Sequence, residues 1–249
     1  MDPVLLVDLI YDILLYLHVS DVLTCRRVST RWRDAVDIPY HWKRRFCQEQ
    51  IKWSADLWSW HAHYLLTLCC RNLLVNPNAE LGLYGWRVEQ CDGIDTQAIS
   101  RFDTFAPSGV ATCFISRRNH SRLLQTVDLN ACGYSRALLD EVQPVLVVES
   151  WHSPPQWDLW CEYYLRYTLK STKNKILDQY EKDCGIWRLH DYEWKRVHYS
   201  FKQYGPSARY IEVSHVIIYR NFNTSHQYLG ISITKNSVRV QSPWSPAKE

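Results

Sequence analysis

Along the first forty residues the hydrophobic positions recur at steps of three and four. Leu6, Leu9, Ile10, Ile13, Leu14 and Leu17 form the stripe of an amphipathic helix. Ser20 opens a Ser-Asp-Val-Leu run that reads as the N-cap of a second helix, reaching about Val28 and carrying Val22 and Leu23. A third helix is predicted from about Ser29 to Val36, with Trp32 on it. Tyr40 to about Gln50, and a Trp-rich stretch through His63 to Cys70, read as helical and linking. Three short helices over ~45 residues bury too little surface to be robust alone, so such a piece leans on a partner.

From Arg71 onward the period changes to two. Val197, Tyr199 and Phe201 alternate with His198 and Ser200; Leu229, Ile231 and Ile233 alternate with Gly230 and Ser232; Val238 and Val240 flank Arg239. Pro144 to Val148, Tyr163 to Leu169 and Val216 to Tyr219 read as further strands. Turn signals such as Asn76-Pro77-Asn78, Pro154-Pro155 and Tyr204-Gly205-Pro206 separate them. All eight glycines lie between Gly82 and Gly230. A glycine-free start followed by a turn-rich remainder gives an α+β multidomain chain, helical first and then an antiparallel sandwich of roughly eight to ten strands. No long helical stretch separates the strands, which argues against a parallel sheet.

Composition changes this picture only at the margins. The 249 residues are 46% hydrophobic and 22% charged, a globular balance. Aromatic residues reach 14%, which suits half-buried sheet surfaces and recognition faces. A net charge of +3 is far from that of a dedicated nucleic-acid binder, so no nucleic-acid partner is expected. Asp2, Asp8 and Asp12 interrupt the apolar N-terminus, which excludes a signal peptide there, and no run of ~20 apolar residues would insert in a bilayer. The nine cysteines include no Cys-x-x-Cys pair. The expectation is a cytoplasmic chain with reduced thiols, no metal and no cofactor.

The run from Leu5 to Leu17, followed by Asp21-Val-Leu23, Cys25-Arg-Arg-Val-Ser29 and Trp32-Arg33, resembles the F-box. Leu6 stands where the family usually has proline, a tolerable change at a helix start. His41-Trp42-Lys43 is similar to the family's closing Trp-Lys. The resemblance implies a three-helix module that binds the Skp adaptor and, through it, a cullin scaffold. Periodicity alone would make Leu9, Ile10, Ile13 and Leu14 ordinary core. The resemblance instead implies an adaptor face drawn from Leu5, Leu9, Ile10, Ile13, Leu14, Leu17, Val22, Leu23, Val28 and Trp32.

The second half resembles the F-box-associated domain, a galactose-binding-like antiparallel β-sandwich. Arg71 to Gly93 carries Asn-Leu-Leu-x-Asn-Pro, Glu-x-Gly and Gly-Trp-x-Val-Glu; later matches are Gln125 to Leu129, Leu138-Leu-Asp140, Tyr204-Gly-Pro206 and Arg209-Tyr210. The implied organisation is F-box 1–48, helical linker 49–70, sandwich 71–242 and tail 243–249. The implied function is that of a substrate-recognition subunit in a Skp-cullin-F-box ubiquitin ligase, recruiting a protein target through the sandwich. The alternative is a cytosolic lectin for N-glycans of misfolded glycoproteins in ER-associated degradation.

Other patterns point to no chemistry. Residues two apart on a helix face about 200° away from each other, so His61-x-His63 near Cys69-Cys70 is a poor metal set. Asn119-His-Ser121 and Asn223-Thr-Ser225 are chance sequons, and Arg117, Arg118 and Arg122 read as a solvated basic loop. There is no Gly-x-Ser-x-Gly, no phosphate-binding glycine loop and no His-Glu-x-x-His; Asp128 and Asp140 read as structural caps rather than a hydrolytic pair. The chain is therefore not expected to be an enzyme.

Glycan-binding members of the resembled family present Tyr-Trp-Lys on one end loop and an aromatic on its neighbour. The corresponding positions here are Thr224-Ser225-His226 and Arg118, with Asn119, His120, Phe222 and Tyr228 completing the candidate substrate loops. Sugar recognition uses a flat aromatic face against the C–H side of the ring, at on the order of 1 kcal/mol per face. Losing two faces costs about 2–3 kcal/mol, roughly a hundredfold in affinity. The chain is accordingly expected to give no high-mannose signal on a glycan array. Thr224→Tyr, Ser225→Trp, His226→Lys and Arg118→Phe together should create one, and tight binding by the unaltered chain would refute this assignment of the loops.

Overall fold

The computed structural model describes residues 3–17, 19–48, 66, 71–89, 93–100, 105–117, 120–154, 161–186, 193–219 and 230–242. His61, His63, Cys69 and Cys70, and all of the expected linker except Leu66, lie outside the described residues.

The helical module has four helices rather than three: α1 (Pro3–Tyr16), α2 (Val19–Cys25), α3 (Thr30–Asp37) and α4 (Pro39–Gln48). Pro3 and Pro39, the two prolines of the first 70 residues, each open a helix, where a fixed φ and a missing N–H cost nothing. Ser29 is the N-cap of α3, accepting from the Trp32 amide at 3.3 Å. Ser20 is not a cap, because the chain is already helical at Val19 and Ser20 falls inside the first turn. The α4 helix, inside the expected F-box bounds 1–48, packs into the module. Its Trp42 is fully buried and donates from Nε1 to the Val36 carbonyl at 2.6 Å. Its buried Arg45 donates to the Leu14 and Leu17 carbonyls at 3.2 and 2.6 Å, satisfying orphan acceptors at the end of α1.

The sandwich contains ten strands among the described residues: β1 (Arg87–Glu89), β2 (Ile94–Ala98), β3 (Thr112–Ser116), β4 (Ser121–Asp128), β5 (Val145–Ser153), β6 (Cys161–Ser171), β7 (Ile176–Ile186), β8 (Lys195–Phe201), β9 (Ala208–Tyr219) and β10 (Ser232–Gln241). They form two five-stranded antiparallel sheets, ordered β1-β4-β9-β6-β7 and β2-β3-β10-β5-β8. Leu123, Leu165, Val213 and Ile217 of the first sheet share one core with Phe114, Leu146, Val148, Ile233 and Val238 of the second. Leu229 lies outside the described residues. Ile233 of the first alternating run read near the C-terminus and Val238 and Val240 of the second lie on one strand, β10, which is broken in phase by a bulge between Thr234 and Ser237. An extra residue there shifts the inward positions from odd to even, from Ile233 to Val238 and Val240.

Asp140 and Asp128 are structural. Arg209 grips Asp140 with two hydrogen bonds of 2.8 and 2.7 Å, and the Ser207 amide adds a third at 2.7 Å. Asp128 Oδ1 caps the following turn by accepting from the Ala131 amide at 3.0 Å.

The core also holds two buried histidines. His215 of β9 meets the Tyr163 hydroxyl at 2.7 Å through Nδ1, and the Tyr163 ring lies 4.8 Å from that of His152 on β5. Burial pushes both imidazoles down to about 3, helped at His152 by Lys195 and Lys182 and at His215 by His152, while Asn236 partly offsets the shift at His215. A depressed folded value means stability is full above the unfolded value near 6.5 and falls as the unfolded chain alone takes up protons. Moving from pH 7.5 to pH 5 should cost about 2 kcal/mol per histidine. Denaturant midpoints measured across that range test this, and the His152→Gln/His215→Gln variant should flatten the slope. An unchanged slope in that variant would refute it.

Candidate docking faces

Helix α1 is apolar on two sides. Ile10 and Leu14 are buried, with Leu17 half-buried beyond them, at i, i+4 and i+7. Leu9, Ile13 and Tyr16 repeat that spacing one residue earlier and are 56%, 39% and 90% exposed. An amphipathic helix needs one such stripe for its own core, and the second stripe is surplus to folding. It borders a groove of about 490 Å³ between α1 and the start of α3, lined by Leu9, Ile13 and Trp32 with Ser29, Thr30 and Arg31. Ten residues were expected to face an adaptor, and the structure divides them. Leu9, Ile13, Val28 and the half-buried Trp32 are accessible. Ile10, Leu14 and Val22 are buried in the module's own core, Ile10 also lining the groove, and Leu17 is half-buried against that core. The side chains of Leu5 and Leu23 lie outside the described residues. Tyr16, which the sequence stripe does not include, sits seven residues after Leu9 on the exposed side.

At the other candidate face, the strand ends flanking the two substrate loops meet at one end of the sandwich. Ser116, at the end of β3, donates its amide to the Ile231 carbonyl at 3.2 Å. Ile231, just before β10, donates to the Tyr219 hydroxyl at 3.0 Å. His120 is the one candidate of this end among the described residues; it is exposed, in the left-handed region at φ 52°. Arg118, Asn119, Phe222, Thr224, Ser225, His226 and Tyr228 lie outside them. The neighbouring arginines are already paired: Arg117 with Asp95 at 3.0 Å, and Arg122 with Glu89 and Glu212 at 3.0 and 3.3 Å.

Among the described residues no group of His, Cys, Asp or Glu could hold a metal ion, and no helix is long and apolar enough to cross a membrane. Comparison with known proteins accounts for both modules. Residues 7–48 match the F-box-like family and residues 64–240 match the F-box associated region. The chain belongs to the F-box proteins that carry this region. F-box only protein 6 of Rattus norvegicus is 33% identical over 199 residues, 77% of this chain and 70% of that protein. F-box only protein 44 of Homo sapiens is 28% identical over 240 residues, 92% and 93% of the two chains. Among solved structures, a carbohydrate-binding module in complex with β-1,4-galactotriose aligns over 69% of this chain and 99% of its own at 15% identity, with a TM-score of 0.45.

Within the F-box-associated sandwich, Gly230 packs against the ends of β3 and β9. A Cβ there would stand 1.8 Å from the Ser116 carbonyl oxygen and 2.1 Å from the Tyr219 hydroxyl. Both are fixed, one by backbone and the other by its bond to Ile231. Gly230→Ala should therefore separate these strand ends and destabilise the protein by about 2 kcal/mol or more. A thermal melt within a degree of the unaltered protein would contradict this packing.

Proposed function

We propose that this protein is the substrate-recognition subunit of a Skp-cullin-F-box ubiquitin ligase. The F-box binds the Skp adaptor through the exposed α1 stripe, and the sandwich holds a protein target. The observation that carries this reading is the second apolar stripe, Leu9, Ile13 and Tyr16, beside the Trp32 groove. A face of that kind on a four-helix module, surplus to its own core, is what a partner's helix would cover. The chain would contribute proximity, holding a target where the ligase's other subunits deliver ubiquitin, and needs no catalytic group of its own.

Burying a Leu or Ile side chain is worth about 1.5–3 kcal/mol, so the pair accounts for a hundredfold or more in adaptor affinity. Leu9→Asp with Ile13→Asp should abolish co-purification with the Skp adaptor. Because both side chains are accessible, the melting temperature of the free protein should change little. Leu14→Asp, by contrast, should unfold the module. Undiminished adaptor capture by the double variant would overturn the assignment.

A further inference from the structure

At the opposite end of β3 from the candidate substrate loops, the sandwich carries a polar pocket of about 180 Å³. Three walls converge on it: the segment Asn72–Asn78, the turn Ser108–Val110, and the β10 bulge with Glu149 of β5 behind it. The first wall is rigid. The Pro77 carbonyl accepts from both the amide and the side chain of Asn236, at 3.3 and 3.0 Å. The Asn78 carbonyl accepts from Thr112 Oγ1 at 2.6 Å, and Asn72 is bonded to the backbone of Val238 and Asn236. The bulge is strained, with Lys235 in the left-handed region at φ 48°, a conformation that costs a non-glycine residue free energy and recurs at functional sites.

The charges in this pocket do not balance. Burial pushes the Glu149 carboxyl up, but Arg196 at 2.8 Å, the Trp151 indole N–H at 2.8 Å and, more weakly, the charge of Arg239 together hold it below the usual range, so one carboxylate faces an excess of cations. That leaves two cations. Lys235 Nζ lies 5.7 Å above the Trp151 ring and makes one long contact, 3.4 Å, to the Ser108 carbonyl. The Arg239 guanidinium acts on Glu149 through its charge but makes no hydrogen bond or close ion pair among the described residues. Two under-used cations on a prearranged, side-chain-sized pocket suit a compact dianion, because charge-assisted bonds to a phosphoryl group are strong and their ordering cost is already met.

We infer that Lys235 and Arg239 form a receptor for the phosphoryl group of a phosphorylated serine or threonine in a protein partner. The volume admits one modified side chain and not a nucleotide. This inference rests on the proposed role as a substrate receptor, and it makes a phosphorylated segment the class of target read by the sandwich.

The full chain, co-expressed with the Skp adaptor, should be presented with a degenerate phosphoserine/phosphothreonine peptide library before and after phosphatase treatment. Binding should require the phosphate, be competed by inorganic phosphate, and fall at least tenfold in Lys235→Gln/Arg239→Gln, while Arg239→Lys retains part of it. Adaptor co-purification and the melting temperature should be unchanged in both variants. Peptide binding that ignores phosphatase treatment, or that survives the double substitution, would overturn the inference. So would retention of the chain by phosphoinositide vesicles but by no phosphopeptide. Loss of the adaptor from the unaltered chain would count against the ligase role and leave the peptide result to decide the pocket by itself.

Discussion

Three amide side chains hold the segment after Arg71 between the two sheets, and the architecture of the sandwich depends on them. Gln125 of the first sheet brackets Val75, accepting from its N–H at 2.7 Å and donating to its carbonyl at 3.0 Å. Asn72 reaches the second sheet, accepting from the Val238 amide and donating to the Asn236 carbonyl. Asn76, buried and at φ 50°, donates to the Gly82 and Tyr84 carbonyls and accepts from the Leu81 amide, which folds the chain back towards β1. A buried amide without partners costs about 1–3 kcal/mol, so such a network is stable only when complete. Completed, it replaces a strand as the link between the sheets. It also fixes Trp86, whose indole N–H donates to the Asn76 carbonyl at 3.0 Å and whose ring packs on Phe114.

The helical module follows a different constraint. Its helices run from seven to fourteen residues, too short for stable isolated helices, so tertiary packing must hold them. Trp42 and Arg45 supply that packing by taking carbonyls from α3 and α1 into the interior. With the core closed by α4, the α1 residues Leu9, Ile13 and Tyr16 have no work to do in folding. That freedom is what makes the stripe available to another chain.

The change of period at Arg71 made the two-module division and the antiparallel sandwich legible, because half-buried strands and amphipathic helices impose different spacings on the same residue types. The half-buried strand β8 was read with nearly correct limits, whereas β5 was read only over residues 144–148 and continues to Ser153. The β7 edge was not, because Asp178, Glu181, Lys182 and Asp183 hide its alternation among charges; such charges also guard an edge strand against pairing with other chains. The fourth helix fell within the expected F-box bounds, 1–48, but periodicity gave it no core role, because its burial is carried by His41, Trp42 and Arg45 and not by an aliphatic stripe. Periodicity likewise named the α1 stripe without dividing it. Positions 9 and 10 differ by one step of about 100° on the helix, and no single-sequence pattern states which neighbour a second module will cover.

The pocket at the β10 bulge was invisible in sequence for a related reason. Its members come from four distant stretches, and each looks ordinary alone: an Asn-Pro-Asn turn, a Ser-Gly turn, a glutamate on a strand, and a lysine and arginine four residues apart. On a regular strand residues 235 and 239 would share a face, but the inward positions on either side of them would then keep one parity. The observed switch from Ile233 to Val238 shows that one residue is inserted between them. The insertion turns Asn236 inward, where its amide anchors Pro77, and leaves Lys235 outward beside Trp151. One backbone irregularity thus completes the amide network that joins the sheets and sets the two cations at the pocket's rim. The strain at Lys235 is tolerated because the same residues that impose it are those that close the fold.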